Sequence, residues 1–111
     1  MNTIKKEVVN VNDQNFEKLI STGVVLVDFW APWCAPCRMQ GTILHEVAES
    51  TGDKATIAKL DVDDNNHTAA RYNIMSIPTL ILFKDGKPVN QFVGVQSKDT
   101  LVRHIEKALV N

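Results

Sequence analysis

Val24-Val25-Leu26-Val27-Asp28-Phe29-Trp30-Ala31-Pro32-Trp33-Cys34-Ala35-Pro36-Cys37 is the stretch on which the fold turns. Its first seven residues form a nearly continuous apolar run of strand length, the pattern of a strand covered on both faces. Asp28 alone interrupts it. The strand hands over at Ala31-Pro32-Trp33 to a helix expected from Cys34 to about Ser50, with Met39, Ile43, Leu44 and Val47 as its apolar stripe and Thr51-Gly52 at its end. Pro36 fits the first turn, where a backbone N–H has no helical partner to lose.

Working outward, Glu7 to Val11 reads as a short strand. Asn12 or Asp13 then caps a helix carrying Phe16, Leu19 and Ile20, which Gly23 closes. Beyond the Cys34 helix come a strand at Thr56 to Asp61 and a short helix at Asn66 to Tyr72. Leu80 to Phe83 and Val89 to Val93, joined through Asp85-Gly86, predict a hairpin, since Asp-Gly between apolar runs suits a tight turn with positive φ. Ser97 caps a last helix with Leu101, Ile105, Ala108 and Leu109 on one face. The order βαβαβαββα describes an α/β fold: a central mixed sheet flanked by helices on both faces.

Cys34 and Cys37 carry the chemistry. Residues three apart on an α-helix have Cα atoms roughly 5 Å apart, inside the disulfide window of roughly 4.4 to 6.8 Å. Their Cβ atoms stay about 5 to 6 Å apart on a regular helix, against the roughly 3.5 to 4.5 Å a disulfide wants, so the first turn tightens on oxidation. At the helix N-terminus, unpaired N–H groups and the helix dipole stabilise a thiolate, which makes Cys34 the expected nucleophile. Cys37, one turn inside and facing the sheet, is expected to be less accessible and to resolve a mixed disulfide by attacking Cys34. Two bland readings compete. A zinc half-site would need two further ligands, and His45, His67 and His104 lack the spacing for it, so no metal is expected. A structural disulfide across so short a loop would constrain the unfolded chain little.

Composition bounds the rest. The 111 residues suit one domain spanning 1–111, with no repeat, linker or low-complexity tract. Hydrophobic residues at 44% and charged residues at 23% exclude a disordered or fibrous chain. With 12 Lys plus Arg against 13 Asp plus Glu, there is no basic footprint for nucleic acid or a membrane surface. Apolar runs reach only four residues, at Val24 to Val27 and Leu80 to Phe83, far short of the roughly 20 that span a bilayer. Met1 to Glu7 has no apolar core of an export signal, so a cytoplasmic protein is expected.

With these residues in view, the chain resembles the thioredoxin family over essentially its whole length. Four blocks carry the resemblance: Val27 to Cys37, Ala58-Lys59-Leu60-Asp61-Val62-Asp63, Ile77-Pro78-Thr79-Leu80, and Phe92-Val93-Gly94. The resemblance implies a thioredoxin fold and a general protein dithiol–disulfide oxidoreductase. It implies no bound cofactor beyond the redox-active Cys34–Cys37 disulfide, a monomer, disulfide-containing target proteins, and recycling by an NADPH-dependent flavoprotein thioredoxin reductase. It makes Asp28 the base that activates Cys37, with Lys59 nearby. Burial in an apolar strand would raise the Asp28 pKa, which suits proton exchange near neutrality; a purely structural Asp28 is the alternative. Pro78 matches the family's cis-proline. Trp33, Ile77, Pro78, Val93 and Gly94 would form a rim that docks extended peptides through their backbone, with Ala35 and Pro36 completing the substrate-binding set. Ile77 and Val93 read equally well as core or edge residues, and Phe16, Phe29 and Trp30 as core.

Two positions depart from the family pattern. Ala35 stands where glycine is usual, and Gly41-Thr42 where a proline usually follows the second cysteine by five residues, so a bend there is left open. Two other functions compete with the reductase. An oxidase or isomerase usually places histidine between the cysteines, where this chain has Ala35-Pro36. A holdase using the apolar rim would not need the dithiol, Asp28, Lys59 or Pro78.

Overall fold

The computed structural model describes residues 7–110. Met1 to Lys6, part of the segment searched for an export signal, and Asn111 lie outside the described residues. The elements run β1 (Val9–Asn10), α1 (Phe16–Ile20), β2 (Val24–Trp30), α2 (Ala35–Thr51), a 3-10 turn (Gly52–Lys54), β3 (Thr56–Asp61), α3 (Asn66–Arg71), β4 (Thr79–Lys84), β5 (Lys87–Val93) and α4 (Lys98–Val110). The five strands lie in the order β1-β3-β2-β4-β5. β3 pairs parallel with β1 and β2, while β4 runs antiparallel to both β2 and β5, so the sheet is mixed as expected.

β2 is central, and its first six residues are buried. Alternate side chains of a strand point to opposite faces. Val24 and Leu26 join one core with Leu44, Val47 and Ala48 of α2 and Leu101, Ile105 and Ala108 of α4. Val25, Val27 and Phe29 join the other with Phe16 and Ile20 of α1, against which Tyr72 after α3 also packs. Asp28 and Trp30 follow Leu26 in register and therefore face the α2 side. Lys59, paired with Asp28 across the ladder and two residues beyond Ile57, shares that face.

Several local signals act as read. Asp85 and Gly86 both take positive φ, 50° and 86°, in the β4–β5 turn; glycine adopts this conformation without a Cβ clash. The Thr100 N–H donates to Ser97 Oγ at 3.1 Å, capping α4. The entry to α1 differs. Asn12 Oδ1 accepts the Asn15 N–H at 2.9 Å, but the regular helix starts only at Phe16. The Asp13 carboxylate turns away to accept from the Thr68 N–H and hydroxyl, at 2.9 and 2.6 Å. Those bonds hold its pKa below the ordinary value.

The apolar stripe of α2 needs correcting. Its buried residues are Cys37, Gln40, Leu44, Val47, Ala48 and Thr51, and Met39 is 61% exposed. Steps of three, four, three, one and three define one helical face, and Met39 lies off it. α2 is one unbroken helix through Gly41 and Thr42. The Thr42 hydroxyl donates to the Arg38 carbonyl at 3.4 Å, the contact of a hydroxyl residue in mid-helix.

A Cβ at Gly41 would meet nothing within 4 Å. Gly41→Ala is therefore expected to stabilise the protein by about 0.5–1 kcal/mol through helix propensity. Urea unfolding checks this: the midpoint should rise with an unchanged m-value, and an unchanged or lower midpoint would contradict it.

Candidate active site

The β2-to-α2 junction delivers the first cysteine to a helix end. Cys34 is the N-cap of α2 with extended φ and ψ of −94° and 110°, and its Sγ accepts the Cys37 N–H at 3.3 Å. Pro36 sits in the first turn, as its missing N–H allows. Cys34 and Cys37 are joined in a disulfide with Cα atoms 5.2 Å apart. Both are buried in this oxidised state, Cys34 at 6% exposure and Cys37 at 2%. Cys37 is the less exposed of the two, by a narrow margin.

That loop carries Ile77 and Pro78, joined by a cis peptide bond. Cys34 Sγ lies 3.9 Å from the Ile77 carbonyl oxygen. Pro78 is buried, and its carbonyl accepts the Gly94 N–H at 2.8 Å. Gly94 takes φ of +91°, a conformation that side chains rarely adopt. Val93, paired with Thr79 at the end of the β4–β5 ladder, is 63% exposed. Trp33 is 69% exposed, its indole N–H donating to Asp63 Oδ2 at 2.9 Å. Ala35 and Pro36 are exposed, and Ile77 is half-buried. The disulfide, the cis-proline and the Gly94 segment thus meet at one end of the sheet.

Behind Cys37 an open cleft of about 240 Å³ is lined by Asp28, Trp30, Cys37, Gly41, His45 and Lys59, among others. Asp28 is 1% exposed, and its Oδ1 finds no protein hydrogen-bond partner. Burial raises the Asp28 pKa to about 7, against the opposing pull of the Lys59 charge. Trp30 was expected in the core. It is only half-buried, lies under Lys59 with Nζ 4.6 Å from its ring centroid, and its Nε1 also lacks a protein partner.

Comparison with known proteins identifies the family. The family described as thioredoxin matches residues 7–107. A curated thioredoxin of Staphylococcus saprophyticus is 55% identical over 102 residues, covering 92% of this chain and 98% of that protein. One from Staphylococcus haemolyticus is 53% identical with the same coverage. A solved mutant thioredoxin from Halobacterium salinarum matches with a TM-score of 0.87 at 36% identity, covering 98% of this chain and 96% of that one.

The chain belongs to the thioredoxin family. It has the thioredoxin fold, and it is a dithiol–disulfide oxidoreductase whose redox-active pair is Cys34 and Cys37. Among the described residues, no group of three or more His, Cys, Asp and Glu side chains is arranged to hold a metal ion. No helix among them is long and apolar enough to cross a membrane.

Three placements escaped the sequence reading. Asp63, quoted above only within a family-matching block, accepts the Trp33 indole N–H. His45, considered only as a metal ligand, lines the cleft two turns beyond Cys37. Gln40, buried at 0% exposure, bonds to the backbone of Gln96. Steps of four from Cys37 through Gly41 reach His45 and could have flagged it, whereas Gln40 carries no local signal because its partner lies 56 residues away. Nothing local flags Asp63.

The raised Asp28 pKa fixes the sign of a pH effect. The folded value of about 7 exceeds the ordinary 3.8, so the folded state holds the proton more tightly. The stability this proton contributes is present below the ordinary value and lost as pH rises through about 7. Asp28→Asn, which stays neutral, should exceed wild type in stability at about pH 8 by a few kcal/mol, with the margin shrinking towards pH 4. Urea unfolding at both pH values checks this; an equal margin at both would contradict it.

Proposed function

We propose that the chain is a general protein-disulfide reductase of the cytoplasm, working as a monomer and recycled by an NADPH-dependent flavoprotein thioredoxin reductase. Family membership supports the reductase partner and the disulfide-bearing targets. The observation that carries the reading is the Cys34 sulfur at the α2 N-cap, accepting the Cys37 N–H, while Cys37 backs onto the Asp28 cleft.

The reaction balances with two thiols and one disulfide. The Cys34 thiolate attacks one sulfur of a target disulfide, forming the Cys34–target bond and releasing the other target sulfur as a thiolate. Asp28, ionised, takes the Cys37 proton; the Cys37 sulfur then attacks Cys34 Sγ, releasing the second target sulfur and closing the Cys34–Cys37 disulfide. Two electrons have passed to the target, and the reductase returns them from NADPH. A carboxyl with a pKa of about 7 suits the base role because it both takes and returns a proton at neutral pH. Lys59 lies across the ladder from Asp28 and favours its ionised form. Trp33, Ala35, Pro36, Ile77, Pro78, Val93 and Gly94 form the substrate-docking surface, on which an extended strand docks through its backbone. Ala35 and Pro36 place no charge between the sulfurs, so nothing there favours the oxidase or isomerase direction.

Coupled reduction of insulin with NADPH and thioredoxin reductase tests the assignment. Wild type should be active and Cys34→Ser inactive, and Cys37→Ser should accumulate a mixed disulfide through Cys34. Activity retained in Cys34→Ser would falsify the mechanism. Asp28→Asn should slow release of the mixed disulfide by about tenfold or more while changing its formation much less. Stopped-flow kinetics separates the two steps, and equal slowing of both would remove Asp28 from the base role.

A further inference from the structure

One buried amide on α2 has no part in the chemistry above. Gln40 lies one turn beyond Cys37, on the helix face that elsewhere buries Leu44, Val47 and Ala48. An apolar side chain would suit that face, and an unpartnered amide there would cost a few kcal/mol of desolvation. Gln40 instead spends both of its polar atoms on one residue 56 positions away. The Gln96 N–H donates to Gln40 Oε1 at 2.7 Å, and Gln40 Nε2 donates to the Gln96 carbonyl at 3.1 Å. This is the two-bond pattern of a strand pair, supplied by a side chain to a segment that follows β5 with no ladder of its own.

The bonds continue towards the dithiol from the other side. Gln96 Nε2 donates to the Gly94 carbonyl at 3.2 Å and reaches the Val93 carbonyl at 3.5 Å. The Gly94 N–H is held by the Pro78 carbonyl, and the preceding Ile77 carbonyl lies beside Cys34 Sγ. Cys37, Gln40, Gln96, Gly94, Pro78 and Ile77 are therefore linked in series by a helix turn, hydrogen bonds and backbone, and the series closes on the 3.9 Å approach of the Ile77 carbonyl to Cys34 Sγ.

We propose that Gln40 is a positioning residue for substrate: it clamps the Val93–Gln96 segment at a fixed distance from the dithiol, so that a docked strand presents its disulfide to Cys34. The proposal rests on the reading of Val93 and Gly94 as substrate-docking rim. It places a determinant of protein-substrate affinity inside the helix that bears the cysteines, while the intrinsic reactivity of Cys34 does not depend on it.

Gln40→Met keeps the length of the side chain and removes both donor and acceptor. KM for insulin should rise about fivefold to tenfold, the scale of one to two lost net hydrogen bonds. The kcat for insulin, and the rate with Ellman's reagent, a disulfide too small to span the rim, should stay within about twofold. Hydrogen exchange at the Gln96 amide should accelerate while the Leu82 amide in β4 keeps its rate, a local loosening that general destabilisation would not produce. Gln40→Leu, which also removes both groups and suits the apolar face beside Leu44 and Val47, should behave as Gln40→Met does, and it carries the test if the Met variant folds poorly. An unchanged KM with faster Gln96 exchange would overturn the proposal, as would equal slowing with insulin and Ellman's reagent. Val93→Asp in the same assay separates the two layers. If it raises KM and Gln40→Met does not, the Gln40 proposal fails alone; if neither raises KM, the docking reading fails with it.

Discussion

A carboxyl group held inside a strand buried on both faces is the constraint on which the rest of this structure depends. Such a group is costly in its charged form, and the Lys59 charge across the ladder from Asp28 offsets part of that cost. The strand must still be central, because its flanking residues are among the most buried in the molecule. β3 and β4 pair with it on either side, and helices cover both faces. The period of two along β2 turns Asp28 towards α2, and the period of 3.6 along α2 turns Cys37 back towards the sheet. Asp28 and the second sulfur share a cleft because two periodicities coincide there.

The same strand also places the first sulfur. β2 ends at Trp30, and the short Ala31–Trp33 connection leaves Cys34 as the α2 N-cap, where its sulfur takes the place of a capping oxygen. The two departures from the usual family pattern leave this untouched. Ala35 is exposed and lies off the core. α2 keeps its hydrogen-bonded course without a proline, and Gly41 and Thr42 border the Asp28 cleft. The framework of the dithiol is thus preserved at both positions.

How much of this was legible in the sequence depended on the range of the interaction. β2, the Asp-Gly turn, the Ser97 cap and the end of α2 at Gly52 rest on neighbours a few residues apart, and each lies where its local signal put it. The dithiol and its place at a helix start were readable for the same reason. The phase of α2 was not, because Met39 looks like core and Gln40 like surface until Gln96 is brought against the helix. Trp30 likewise read as core from its neighbours, whereas the ring is half-buried beneath Lys59 of the next strand. Asp63 found its role only through Trp33, 30 residues earlier. Resemblance to a known family supplied what local physics could not, namely the cis bond before Pro78.

The titration of Asp28 itself tests the central claim most directly. The carbon-13 shift of its side-chain carboxyl, followed against pH in the oxidised protein, should show a midpoint near 7, set by burial against the pull of Lys59. Replacing Lys59 with methionine should move that midpoint higher. A midpoint close to the ordinary 3.8 would mean that Asp28 is solvated and ionised throughout, and the link between the buried strand and the chemistry of Cys37 would fail.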